Sequence, residues 1–416
     1  MTAIDRPTAS APTPLDAWLS EHGEGLVALR RNMHAHPELS GEEYATTELV
    51  AERLELAGLK PRRLAVGTGL VCDLEPPTIG SRRVIALRAD LDALAMADEK
   101  SVPYASQTPG VAHACGHDVH TAVVLGAALF FAHHLDDLGG PVRFVFQPAE
   151  ERVPGGALDV IDDGGIDDLD AIVGVHCEPK LDVGTIGLRV GAISSAADMA
   201  SITLSGPGGH TARPELTVDL VALAARVIAE LPTRVADRLD ELGSQADGRV
   251  GADAIKLVFG SIHGGDAANV IPTQVELRAS IRTPSLPVWE LLPRLVDEEI
   301  QSIVAPSGAG VRVDYTHGVP PVVNDATVTD TVRRAGETVV GTASVVTVEQ
   351  SWGGDDFAWF TREVPGTYVR LGVRDPAGQT LDLHAGHFDV DERAIPLGVR
   401  LLVETVHEFH GGTHRS

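Results

Sequence analysis

The sequence predicts an α/β protein in which a mixed sheet is interrupted by an inserted α+β unit, and two patterns carry this expectation. Short apolar runs rich in β-branched residues, Gly69–Leu74, Arg83–Arg88, Val142–Phe146 and Ala171–Val175, recur with helical stretches between several of them. That alternation suits a sheet with parallel members. Past Gly191 the order becomes Met199–Ser205 (strand), Val218–Leu231 (helix), Ile255–Ile262 and Val275–Thr283 (strands), Val288–Val304 (helix) and Val311–Thr316 (strand). The β-α-β-β-α-β succession is that of a ferredoxin-like unit. Residues 192–316 are therefore expected to form a domain inserted into a discontinuous one made of residues 1–191 and 317–416.

The remaining elements follow from periodicity and end signals. Apolar residues at helical spacing predict a helix over Leu15–Met33, and a second over Ser40–Gly58 with Ser40 and Glu43 as a capping box and glycine at its end. The apolar run Thr121–Ala132 predicts a buried helix; at about a dozen residues it falls short of the roughly 20 that cross a bilayer. Beyond the inserted unit come a helix Asp325–Val340, a strand Thr367–Val373 and a helix Ala394–Phe409. The opening Met1–Pro14 is rich in Thr, Ala and Pro and lacks the apolar core of a signal peptide, so it reads as a loose arm and no export is expected.

Composition narrows the function classes. With 416 residues, 44% hydrophobic and 22% charged, the chain can bury the cores of two domains. Lys and Arg number 33 against 59 acids, a net charge of -26, which argues against nucleic acid or an anionic membrane as partner. Three cysteines, Cys72, Cys115 and Cys177, are an odd number in a long chain and fit a reducing, cytoplasmic compartment.

Chemistry concentrates in His113-Ala-Cys115-Gly-His117-Asp118-Val-His120, directly before the apolar run. Cys115 and His117 flank a glycine, so both side chains can reach one point if the backbone bends there, and thiolate with imidazole suits zinc or a similar transition metal. Further donors follow other strands: Asp90 and Asp92, Glu150 and Glu151, and His176. In open α/β sheets ligands bind beyond the carboxyl ends of strands, where these groups could converge. Adjacent residues of an extended segment point to opposite sides, so Glu150 and Glu151 are expected to divide two roles.

Taken together, His113–Asp118, Gln147–Glu151, Gly174–His176 with Pro179, Gly208–His210, Asn269–Pro272 and His384 with Phe388 resemble the motifs of the metallopeptidase-like amidohydrolases. That family includes aminoacylases, hippurate hydrolases and indole-acetyl-amino-acid hydrolases, and the match runs from Arg31 to Glu392. The resemblance implies a catalytic domain of the zinc-peptidase type, with the insert as lid and dimerisation domain. It implies two divalent cations, zinc or manganese first and cobalt or nickel next, on Cys115, His117, Glu151, His176 and His384. Glu150 becomes the general base toward a metal-activated water. His210 would stabilise the oxyanion, commonly from a partner subunit. Asn269 and Arg282 would hold the substrate's polar end, and Asp92 would orient a ligand.

The expected reaction is cleavage of an N-acyl amino acid, with a dipeptidase or carboxypeptidase as the alternative. Other readings are a cysteine hydrolase with Cys115 as nucleophile and a metal-dependent binding protein without turnover; Glu150 argues against the last, since a binder needs no base beside its metal. Ala95 and Asp355 depart from the family pattern, which bears on substrate choice.

Overall fold

The structure is a computed structural model that describes residues 13–78, 80–243 and 255–411; nearly all of the expected arm Met1–Pro14 lies outside them. The first helix, Pro14–Ala35, opens on a capping box between Thr13 and Asp16. The box expected at Ser40 and Glu43 does not form: the second helix spans Tyr44–Leu56, and Glu43 at its start makes no capping bond. Ser40 instead donates to Asp92 at 2.6 Å, and the buried Glu43 carboxylate accepts from the backbone of Gly41 at 2.7 Å and of Ala149 at 2.8 Å. Glu43 is drawn to amides that would otherwise lack an acceptor, and the Ser40 hydroxyl to a buried carboxylate.

Eight strands form one mixed sheet in the order Arg62–Arg63, Leu70–Leu74, Val142–Gln147, Ile85–Asp90, Ala171–Asp182, Gly366–Arg374, Ile186–Leu188, Val345–Thr347. The four central strands are parallel, whereas Leu70–Leu74 joins antiparallel. Ile85–Asp90 is buried throughout because helices cover both faces. Alternate residues face opposite ways: Ile85, Leu87 and Ala89 pack with Val123, Leu125 and Leu402 in one core, while Ala86 packs with Val160, Phe357 and Tyr368 in another. The parallel strands bring their carboxyl ends, near Asp90, Gln147 and His176, to one edge.

A second sheet orders Lys256–His263, Gln274–Thr283, Ala196–Ser205 and Gly310–Val319, all antiparallel. Burial alternates along Ala196–Ser205 because helices Leu220–Gly243 and Leu286–Val304 cover one face, around Ile202, Leu204, Leu277 and Ile300. The first of these helices, expected to stop at Leu231, runs on through Pro232. A proline removes one helical hydrogen bond, a cost that buried Val235 and Leu239 on the far side offset. The architecture is thus α/β with a mixed sheet, joined to an α+β unit of ferredoxin-like strand order. Among the described residues no helix is long and apolar enough to cross a membrane. All three cysteines are buried and free.

Candidate active site

Gly116 sits at φ 90°, and a Cβ there would come within 2.7 Å of Cys177 Sγ, so glycine is required both by the left-handed turn and by the close approach. The bend sets Cys115 beside His117, the first residue of the buried helix His117–His133. One ligand atom each from Cys115, His117 and Glu151 lies within 4.8 Å of the others. Cys115 Sγ is 3.5 Å from His176 Nε2, and His384 Nε2 is 3.2 Å from Glu151 Oε1. Five donors far apart in the chain are therefore contiguous in space.

Two strained residues position this cluster. Ala149, before the glutamate pair, and His384 have φ of 53° and 57°. Left-handed backbone at a residue other than glycine costs of order 1–3 kcal/mol and persists only where neighbours impose it. Glu43 holds the Ala149 amide, and the His384 amide donates to Ala114 O at 2.8 Å, tying its loop to that of Cys115.

Orientation comes from the groups behind the donors. His117 Nδ1 lies 2.9 Å from Asp92 O and 3.2 Å from Asp92 Oδ1, turning Nε2 toward the cluster. The other Asp92 oxygen accepts from the Glu151 amide at 2.9 Å, so one carboxylate registers two donors. His176 Nδ1 lies 2.7 Å from the Cys177 carbonyl, which leaves Nε2 free to face Cys115. Behind both, His120 bridges Asp90 at 2.6 Å and the Cys177 amide at 2.8 Å.

Both His117 Nε2 and Glu151 Oε1 are buried without a hydrogen-bond partner. Orphaned polar atoms of this kind are rare and costly, and here they face each other at 3.9 Å beside a thiol. Imidazoles, a carboxylate and a thiol gathered in this way fit divalent transition-metal ions. Electrostatics agree. Burial by itself would lower the His117 imidazole, but Asp90, Asp92 and Glu151 outweigh it and hold it up at about 10. That field favours any cation, proton or metal. Burial and then Glu151 and Glu150 push the Cys115 thiol well above its ordinary range, so a thiolate there needs a cation beside it.

Glu150 lies between the donors and a pair of acids: its Oε2 is 3.8 Å from His117 Nε2, and it also groups with Asp355 and Asp356, one oxygen of each within 4.8 Å of the others. Burial first, then Asp355, Glu151 and Asp356, push its carboxyl well above the usual carboxylate range. Asp356 is held by Gln147 at 2.7 Å, Arg88 at 3.0 Å and the Ala157 amide at 2.9 Å. The sequence motifs assign Arg88 and Gln147 no role; the signal was a polar residue near the carboxyl end of each of two largely apolar strands.

Cys115, Glu150, Glu151, His176 and His384 open onto one cleft of about 660 Å³, whose far wall is Ser194, Ala197, Arg282 and Val319. Arg282, on the second sheet, donates to Trp352 O at 3.3 Å. His210 and Asn269 do not belong to the cleft lining. His210 is exposed and pairs with Val270 between two short strands, and the Asn269 carbonyl accepts from Thr211 at 3.2 Å.

A mixed sheet that collects metal-type donors at the carboxyl edge of its parallel strands, with an α+β unit closing the cleft, defines a metallopeptidase-type architecture. Residues 86–408 match Peptidase family M20/M25/M40, and the chain belongs to that family. It is 43% identical over 378 residues to a Rhodococcus jostii protein provisionally named glutamate–cysteine ligase 2-3, covering 91% of this chain and 46% of that one, so the chain spans about half the length of this relative. N-acetyl-L-cysteine deacetylase of Bacillus subtilis is 35% identical over 377 residues, 91% of this chain and 86% of the relative. Among solved structures, a dinuclear metal binding peptidase of the M20 family from Bacillus subtilis superposes with a TM-score of 0.81 at 29% identity, covering 95% of this chain and 100% of that one.

Proposed function

We propose that the chain is a metal-dependent amidohydrolase that splits N-acyl amino acids into a carboxylate and a free amino acid. Residues 1–191 and 317–416 would form the catalytic domain, and residues 192–316 the lid through which two copies pair. The observation that carries this reading is the meeting of Cys115, His117, Glu151, His176 and His384 with a proton-accepting carboxylate, Glu150, 3.8 Å from His117 Nε2. The deacetylase among its relatives supports the substrate class. Two divalent cations, zinc or manganese before cobalt or nickel, fit the five donors in a cytoplasmic setting. When bound, they would acidify a water toward a pKa of roughly 7 and polarise the amide carbonyl.

The chain's own residues supply the rest. Glu150 takes the proton from the attacking water and returns it to the departing nitrogen. Its carboxyl, raised by burial and the neighbouring acids, accepts a proton more readily than an ordinary glutamate, which suits taking one from water before passing it on. Asp92 keeps His117 and Glu151 in register. Arg282 holds the substrate carboxylate from across the cleft. His210 and Asn269, exposed on one copy, would complete the oxyanion and substrate contacts of the other. A nucleophilic Cys115 is disfavoured, because the acids around it oppose the thiolate.

The test is Glu150→Gln, which keeps shape and removes the base. Turnover of acetyl, benzoyl and indole-acetyl amino acids should fall by about 10³-fold or more while metal content by mass spectrometry stays level. Full activity in that variant would refute the mechanism, and a preference for dipeptides over the whole acyl panel would move the assignment to dipeptidase.

A further inference from the structure

Three arginines are buried in the described fold, and two are fully engaged. Arg30 pairs with Asp118 at 2.6 Å and also meets Asp389 and Glu392. Arg88 binds Gln147, Asp90 and Asp356. Arg370 is only 8% exposed, yet among the described residues no hydrogen bond or ion pair meets its guanidinium. It stacks on the Tyr368 ring, with the guanidinium carbon 5.2 Å from the ring centre. It lies in the middle of Gly366–Arg374, opposite His176 in the parallel register, and lines the same cleft as Cys115, Glu150 and Arg282.

A guanidinium cannot shed its charge, and burying it without a counter-ion is costly. A cation kept in that state beside the reacting centre is prepared for an anion that arrives with the ligand. Arg282, on the opposite wall, already provides for one carboxylate. We propose that the preferred substrates carry a second carboxylate, which Arg370 receives through its planar fork while Arg282 holds the first. This rests on the amidohydrolase reading and narrows its substrates to dianionic N-acyl amino acids. The second carboxylate has two sources, the side chain of an acidic amino acid or a dicarboxylic acyl group.

The experiment uses metal-loaded full-length protein and three probes: N-acetylalanine with one carboxylate, N-acetylglutamate with the second on the amino acid, and N-succinylalanine with it on the acyl group. In the parent protein one of the two dianions should be preferred. Arg370→Met should lower the ratio of dianion to monoanion kcat/KM on the order of 10- to 100-fold, mainly through KM, with Arg370→Lys intermediate. Metal content separates this from a structural role: Arg370 lies beside His176, and a residue that only supported the metal donors would lower metal content and leave the ratio fixed. An unchanged ratio in Arg370→Met overturns the proposal.

Calorimetric titration of Glu150→Gln and of Glu150→Gln with Arg370→Met reads binding without turnover. Dianion binding that depends on Arg370, with no probe hydrolysed by the parent protein, would leave the anion site standing and defeat the amidohydrolase reading. Hydrolysis by the parent with dianion binding indifferent to Arg370 would defeat the anion site alone.

Discussion

In the four-stranded unit the buried carboxylate Asp198 is fully engaged, accepting from Trp289 Nε1 at 2.9 Å, Tyr315 Oη at 2.7 Å and the Gly318 amide at 2.8 Å. At the carboxyl edge of the eight-stranded sheet, by contrast, His117 Nε2 and Glu151 Oε1 are buried without a hydrogen-bond partner, and Arg370, 8% exposed, forms no ion pair among the described residues. Asp198 is satisfied within its unit, whereas the groups at the other edge are left open beside one another. The difference teaches that the fate of a buried polar atom, and not its burial, separates a scaffold group from one waiting for a ligand.

The comparison breaks most visibly at His117. His117→Ala should cut turnover by about 10³-fold or more and lower the bound metal measured by mass spectrometry, since a lost donor also disturbs the water it helps activate. Asp198→Ala should do the reverse: about 3 kcal/mol of stability lost in urea titration, because three donors are left unpaired, with metal affinity unchanged. Asp92→Asn lies between, and competition with a chelator should show metal affinity down roughly 10- to 100-fold through misorientation of His117 and Glu151.

His113 bounds the lesson, because both its nitrogens are buried without a hydrogen-bond partner although it is absent from the cleft lining, so an open polar atom points to a ligand only beside other donors. Burial lowers its imidazole to about 3 from 6.5, with Asp118 opposing. Below pH 6.5 the unfolded chain takes a proton that the folded one refuses, so its contribution is whole above that pH and is lost as pH falls toward 3. The slope approaches about 1.4 kcal/mol per pH unit. His113→Asn should flatten that slope in urea titrations run from neutral to acid pH; an unchanged slope would mean the orphaned ring costs nothing in the folded state.

Much of this was legible in the residues. The apolar runs marked the strands, and the groups after them marked the edge at which ligands gather; Cys115, His117, Glu150, Glu151, His176 and His384 carry the motifs, and the structure brings them together, all but His117 lining one cleft. The strand–helix order also marked the ferredoxin-like unit. Other features escaped because they depend on competition in space. Ser40 and Glu43 have the spelling of a helix cap, but Asp92 and the Ala149 amide bind them instead. Pro232 reads as a stop, yet packing carries the helix past it. Arg370 sits in a run that reads as an apolar strand, and its meaning comes from having no ion pair among the described residues while lining the cleft. Asp355 was noted as a departure in the motif, but its pressing on Glu150 needed three dimensions.

The hydrogen bond from the His384 amide to Ala114 has a temporal side. During synthesis the thiol and first imidazole emerge about 270 residues before the last imidazole, at the roughly 5–20 residues per second of translation. If the five donors hold the ions as proposed, the set stays incomplete until His384 leaves the ribosome, and a polypeptide cut between His176 and His384 should not reach full metal loading.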